Sequence, residues 1–282
     1  MSITKKSDLN SLFNNIYDRA LFAAREMNVM LQLVTLYTAT GYADRKIGQW
    51  AQITAASVAE GVDFAGATTF SKSVLATLTP GEVIAQSVLT DVMYETDPDD
   101  AMRSCVQELG NAVATKIDTD LAGDFASFST DVGPGAGQAA TLAKFGVGQS
   151  ILRNNKVTNP IYAVLHPYAW HDIWVLLGQP AATQAYLGDT ANQALRDFYV
   201  GNFLNMTWVV NANIAADASD DAVSGIFNPG ALAFDSRKAP TLEPERDSSL
   251  RAWELNMVGG YAHGVRRPTF GVKYTCDVAT PS

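Results

Sequence analysis

Cysteine, histidine and charge are all sparse in this sequence, and each shortage removes a class of function. The only cysteines are Cys105 and Cys276, with no C-x-x-C pair. That excludes a disulfide framework and a zinc ribbon and leaves two small core residues. The three histidines are His166, His171 and His263. The first two do not stack on one helix face, and no H-E-x-x-H pattern occurs, so no metal site is expected. A nucleophile elbow is missing: Gly148-Gln149-Ser150 comes nearest and fails at Leu152. There is no Walker loop. The glycine run from Gly133 to Gly137 has Gln138 where a dinucleotide fingerprint needs its third glycine, and it reads as a flexible loop. The expectation is no catalytic residue, no metal and no cofactor.

Basic charge is also thin. Lys and Arg number 20 against 29 Asp and Glu, a net charge of −9, and the basic residues cluster no further than pairs such as Arg45-Lys46, Arg237-Lys238 and Arg266-Arg267. Tight, specific nucleic-acid binding needs basic patches that displace counterions from phosphates, so it is rejected. Mild repulsion of phosphate still suits a container that holds DNA non-specifically. No run reaches the ~18–20 apolar residues of a membrane span. The nearest, residues 27–43, contains Asn28, Gln32 and Gly41 and reads as a helix or strand packed on protein.

What the chain does have is apolar surface. Hydrophobic residues make up 47% and charged ones 17%, against roughly 25% charged in an average soluble domain. So much uncharged surface points to contacts between subunits.

Along the chain, Leu9, Leu12, Phe13, Ile16 and Ala20 recur at helical spacing. The apolar face they make must lie on the chain's own core or on a neighbour. Residues 42–70 show no helical period, are rich in Ala, Thr, Ser and Gly, and carry Trp50, Phe64 and Phe70. They read as a long functional arm or loop, and its aromatics argue against plain disorder. Alternation at Val74, Ala76 and Leu78, the turn signal Pro80-Gly81, and alternation at Val83 and Ala85 predict a two-stranded ribbon closing that loop. Asp97-Pro98 signals a helix start. Met102, Val106, Leu109, Val113, Ile117, Leu121 and Phe125 then keep spacings of three or four, predicting one long helix over 97–128. Further on, a helix is expected over 140–154, a strand over 161–165 and a helix from Pro167 through Trp170, Ile173, Trp174 and Leu177. Strands follow over 206–210 and 225–234 and within 250–276.

The order of these parts resembles the major capsid proteins of tailed phages, the Johnson fold first seen in a Hong Kong phage. Gly81-Glu82-Val83 onward is similar to the family's strand leading into its spine helix, and 97–128 to that helix. Ile161 to Pro167 followed by Trp170 is similar to its axial-domain strand and helix. Ala233-Phe234-Asp235 and Gly260 to Pro268 are similar to its closing strands. The resemblance implies an α+β capsid fold: an N-terminal arm (1–41), an extended loop (42–80), a peripheral domain with the spine helix (81–134), an axial domain (135–235) and peripheral C-terminal strands (236–282).

It further implies a non-enzymatic subunit that assembles with itself into hexamers and pentamers, forming the icosahedral shell around phage DNA in the virion. Assembly would take place in the host bacterial cytoplasm. Arg45, Lys46, Trp50, Glu60, Phe64, Phe70 and Lys72 would form the loop's assembly interface. The short arm implies a separate scaffolding protein, or none, alongside a portal, with a decoration protein as a further partner. Lys46 and Lys72 lie where some relatives cross-link, but no partner Asn can be matched, so no covalent cross-link is expected. The rival readings are an encapsulin-type compartment shell, an oligomeric cytosolic α/β enzyme with its site near His166 to Asp172, and a tail tube subunit.

Overall fold

The computed structural model describes residues 29–64, 66, 69–96, 98–178 and 201–281. The predicted N-terminal helical stretch and the Asp97 cap lie outside these residues.

The spine of the molecule is helix α2, Pro98–Gly123, which follows a short helix α1, Asp91–Thr96. At 1.5 Å per residue α2 is about 39 Å long. Met102, Val106, Leu109, Val113, Ile117, Leu121 and Phe125 are all buried, so the three-and-four spacing is the stripe that faces the core. The helix stops earlier than 128. Glycine favours a helix interior poorly, and after Gly123 the chain tightens into a 3-10 turn, Asp124–Ser127. Phe128 then leaves in extended geometry, so Phe125 and Phe128 both reach the core with 0% and 2% exposure.

One side of α2 is covered by a four-stranded sheet in the order β1-β9-β10-β4. Its strands are β1 (Thr35–Thr38), β4 (Gly81–Thr90), β9 (Leu232–Asp247) and β10 (Ala252–Val265). β1 runs parallel to β9, while β10 runs antiparallel to both β9 and β4. Pro240 and Pro244 lie in β9 beyond the four residues paired with β1, where the strand is an edge and can spare backbone donors.

The second sheet has five strands in the order β11-β8-β5-β7-β6. They are β5 (Tyr162–Leu165), β6 (Asn202–Phe203), β7 (Met206–Val210), β8 (Asp221–Phe227) and β11 (Gly271–Asp277). Helices α3 (Leu142–Asn154) and α4 (Pro167–Gly178) belong to this half of the chain. Here the core is aromatic: Phe145 stacks on Tyr274 with centroids 4.0 Å apart, and Phe203 stacks on Trp208 at 4.2 Å. The 3-10 turn joins the halves, since Phe125 packs on Phe227 at 5.4 Å. Gly225 permits that approach, because a Cβ there would meet the Phe125 ring at 2.6 Å.

Three expectations are corrected. Residues 72–78 do not pair with 81–85. Strand β3 (Lys72–Leu78) pairs antiparallel with β2 (Arg45–Trp50), inside the stretch read as loop. β4 pairs with β10 over ten residues, a ladder with far more partners than a hairpin across Pro80-Gly81 would give. The strand expected over 225–234 is two strands in different sheets, because Asn228-Pro229-Gly230 is a turn; Asn228 also donates to the carbonyls of Thr158 and Pro160. Finally, β11 does not join the other closing strands. After Arg266-Arg267 the chain turns through the 3-10 segment Pro268–Phe270 and pairs with β8.

Candidate assembly surface

The β2-β3 ribbon forms a sheet of its own. A lone two-stranded ribbon is marginal in water, so it must be rooted, and two sets of contacts root it. Leu78 is buried with Ala233 and Ala262, with Tyr37 and Ile47 packed against them. Arg45 reaches across to Asp235 of β9, with Nε–Oδ2 at 2.7 Å and Nη2–Oδ1 at 3.1 Å. The Asp235 side chain is fully buried, and Arg237 holds the same Oδ2 at 2.6 Å. Arg45 also lies 4.8 Å from the centre of the Tyr37 ring. This fork is planar and charge-assisted, which fixes direction as well as adding energy. Arg45, expected to face a neighbour, is therefore mainly an internal anchor.

At the ribbon's far end Trp50 and Phe70 stack face to face, 4.8 Å apart with planes 4° from parallel. The Lys72 ammonium sits 5.6 Å from the Trp50 ring centre. The stack is not core: Trp50 is 56% exposed and Phe70 58%. Beyond it every residue from 52 to 64 is exposed, including Ile53, Val58, Val62 and Phe64. A turn closed by Val62 N–H on the Ala59 carbonyl, with Gly61 at φ +80°, marks the tip and places Glu60 there. The structure thus groups Trp50, Phe70 and Lys72, leaves Glu60 and Phe64 further out and Lys46 exposed on the ribbon, and takes Arg45 inward. Asp235 and Tyr37, which complete the anchor, were not read from the sequence. They are remote from Arg45 along the chain, and no local pattern signals them.

Among the described residues no group of three His, Cys, Asp or Glu could hold a metal ion. Burial pushes the Cys276 thiol up to about 12, which makes it a poor nucleophile. Burial lowers the His166 pKa below its ordinary range. No helix among the described residues is long and apolar enough to cross a membrane.

A sequence profile for the family described as phage capsid protein matches residues 85–274. The chain belongs to that family. No curated protein matches it, but solved structures do. A chain from Mycobacterium phage Che8 is 19% identical with a TM-score of 0.67, covering 83% of this chain and 85% of that one. The capsid structure of cyanophage P-SCSP1u gives 13%, 0.70, 89% and 89%. A virus-like particle from Pyrococcus furiosus gives 10%, 0.58, 94% and 99%. At such identities these likenesses show the fold, which is the Johnson fold. The protein is a major capsid protein, a structural subunit of a phage shell.

Proposed function

We propose that the ribbon and its loop are the clasp by which each subunit holds its neighbour within a capsomer, and that capsomers of six and five copies tile an icosahedral shell around double-stranded DNA. The observation that carries this is the Trp50–Phe70 stack, held outside the subunit's core on a ribbon rooted by Arg45 and Asp235. Large aromatics that neither join their own core nor lie scattered singly are the usual anchors of an interface. A clasp that reaches a neighbour makes a head-to-tail contact, which closes into rings when the rotation allows. Each subunit then touches several others, and many modest contacts give the shell an avidity that no single one has.

In this reading the four-stranded sheet with α2 is the peripheral part and the five-stranded sheet the axial part that meets its copies around the capsomer axis. The subunit does no catalysis. A separate scaffolding protein, a portal and a decoration protein are its expected partners, and the net charge of −9 keeps contact with packaged DNA weak and non-specific. Assembly takes place in the host cytoplasm. Negative-stain microscopy tests the proposal: the expressed protein should give rings or closed shells, and a variant lacking residues 61–70 should give folded subunits without stable shells. Normal shells from the deletion would remove the clasp.

A further inference from the structure

Among the described residues β4 is the outer strand of its sheet, with β10 on one side only. Beside it, α1 and the spine helix complete an open groove of about 1170 Å³. Val88, Leu89, Val92 and Met93 line one wall, and Cys105 and Leu109 the other. Val92 is 74% exposed, Met93 54% and Val88 44%, and a bare apolar rim of this kind marks a contact site. The groove's one charged lining residue is Glu108, so its lip is negative.

The ribbon carries a matching face. Along β2, Ile47 turns toward the root and packs by Leu78, which puts Lys46, Gly48 and Trp50 on the other side. Across the ribbon Lys72 opposes Trp50, and Val74 opposes Gly48, so both share that side. The Lys72 stem lies across Gly48, where a Cβ would collide with it. The result is an exposed apolar patch of Trp50, Phe70 and Val74. The sequence from 45 to 78 holds three basic residues. Arg45 is turned inward to Asp235, which leaves Lys46 and Lys72 to flank the patch.

We infer that the groove beside β4 is the seat of the clasp: the Trp50–Phe70 stack of one copy enters the groove of another, and Lys72 meets Glu108. This rests on the reading of the ribbon as a clasp between subunits and names the surface that it grips. Charge selects a second copy as the occupant, since the patch is flanked by lysines and the groove's lip is acidic, and opposite signs orient an encounter. Room permits it, since the groove exceeds the ~300–1,000 Å³ that takes a drug-sized molecule. Met93 adds a flexible thioether, which packs well on aromatic rings. Stack and rim are both exposed on the same subunit, so a subunit does not fill its groove with its own stack. A patch on one part of the molecule that fits a groove on another makes a head-to-tail contact.

Charge exchange tests the contact. Lys72→Glu and Glu108→Lys should each lower the yield of fast-sedimenting shells about tenfold, because like charges then face each other. Combining the two should restore most of the yield, as expected of residues that touch; a combined variant as defective as the singles would overturn the seat. A second readout does not depend on yield. Cys105 lines the groove while Cys276 is buried, so assembled Val74→Cys protein is treated with a short bis-maleimide and run on a denaturing gel. The inference expects links to Cys105 between chains, far fewer from Gln49→Cys on the opposite ribbon face, and none once Cys105→Ser is added. Links only within one chain, or none to Cys105, would overturn it. The clasp itself has a separate test in the deletion of residues 61–70. Should that deletion abolish shells while the charge exchange fails and Cys105 stays unlinked, the clasp stands and its seat lies elsewhere.

Discussion

The spine helix and the loop before it both carry bulky apolar side chains, and they treat them oppositely. Along α2 the apolar stripe is buried from Met102 to Leu121 and continues into Phe125. On the loop, Trp50, Ile53, Val62, Phe64 and Phe70 are half exposed or nearly so. The helix meets its partners within one chain, whereas the loop's apolar side chains stand exposed, and the proposed clasp gives them partners on another copy. The difference teaches that a segment's stability and its purpose can be separated. The ribbon spends its internal contacts at the root, on Leu78 and the Arg45–Asp235 fork, and leaves its far end free to bind.

The comparison breaks most sharply at Phe125. Phe125→Ala removes a buried ring that packs on Phe128 and Phe227 and should cost about 3–5 kcal/mol in urea denaturation of the subunit. Next is Asp118, a fully buried carboxylate on α2 that accepts from the Met30 N–H and the side-chain amides of Asn211 and Asn213. It ties the turn at Met30, the helix and the residues just after β7 to one point. Asp118→Ala strands three donors and should cost about 2–3 kcal/mol in the same assay. Asp118→Asn keeps oxygen acceptance at one position and should cost less.

A smaller effect tests the face where β10 meets the end of α2. His263 Nδ1 lies 2.9 Å from Asp124 Oδ2, and its Nε2 lies 4.0 Å from Asp120. Asp120 also accepts from Tyr261 Oη at 2.7 Å and pairs with Lys116. The hydrogen bond to Asp124, more than the charges of Asp124 and Asp120, raises the His263 pKa above its ordinary 6.5. A raised pKa means that the folded state prefers the protonated ring. The stabilisation is therefore full below the unfolded value near 6.5 and is lost as pH rises through the folded value. Urea midpoints should fall across that window in the wild type, and His263→Gln should flatten the fall. An equal slope in both would show that other groups set it.

These contrasts also explain what the sequence could convey. The long helix was legible because its partners repeat every three or four residues, and all seven apolar positions named from that spacing are buried. The exposed aromatics of the loop were legible too, because a stretch without period that holds Trp50 and Phe70 has no core to serve. Pairing was not legible. β2 alternates only from Arg45 to Ile47 before turning fully exposed, and its partner β3 lies across the whole loop. β11 looks like its neighbours β9 and β10 in composition, yet it crosses to another sheet because Pro268 and the preceding arginines interrupt the strand. The anchor at Asp235 was out of reach for the same reason, since an ion pair between distant segments leaves no local periodicity.

The central claim is that the loop's aromatic stack serves contacts between subunits and not the fold of its own. The direct test replaces both rings, Trp50→Ala with Phe70→Ala, and measures the urea midpoint of the subunit beside sedimentation of the assembled material. The account predicts a subunit stability within about 0.5 kcal/mol of wild type together with loss of shells from the fast-sedimenting fraction. Shells at wild-type yield, or a large fall in the midpoint, would contradict it.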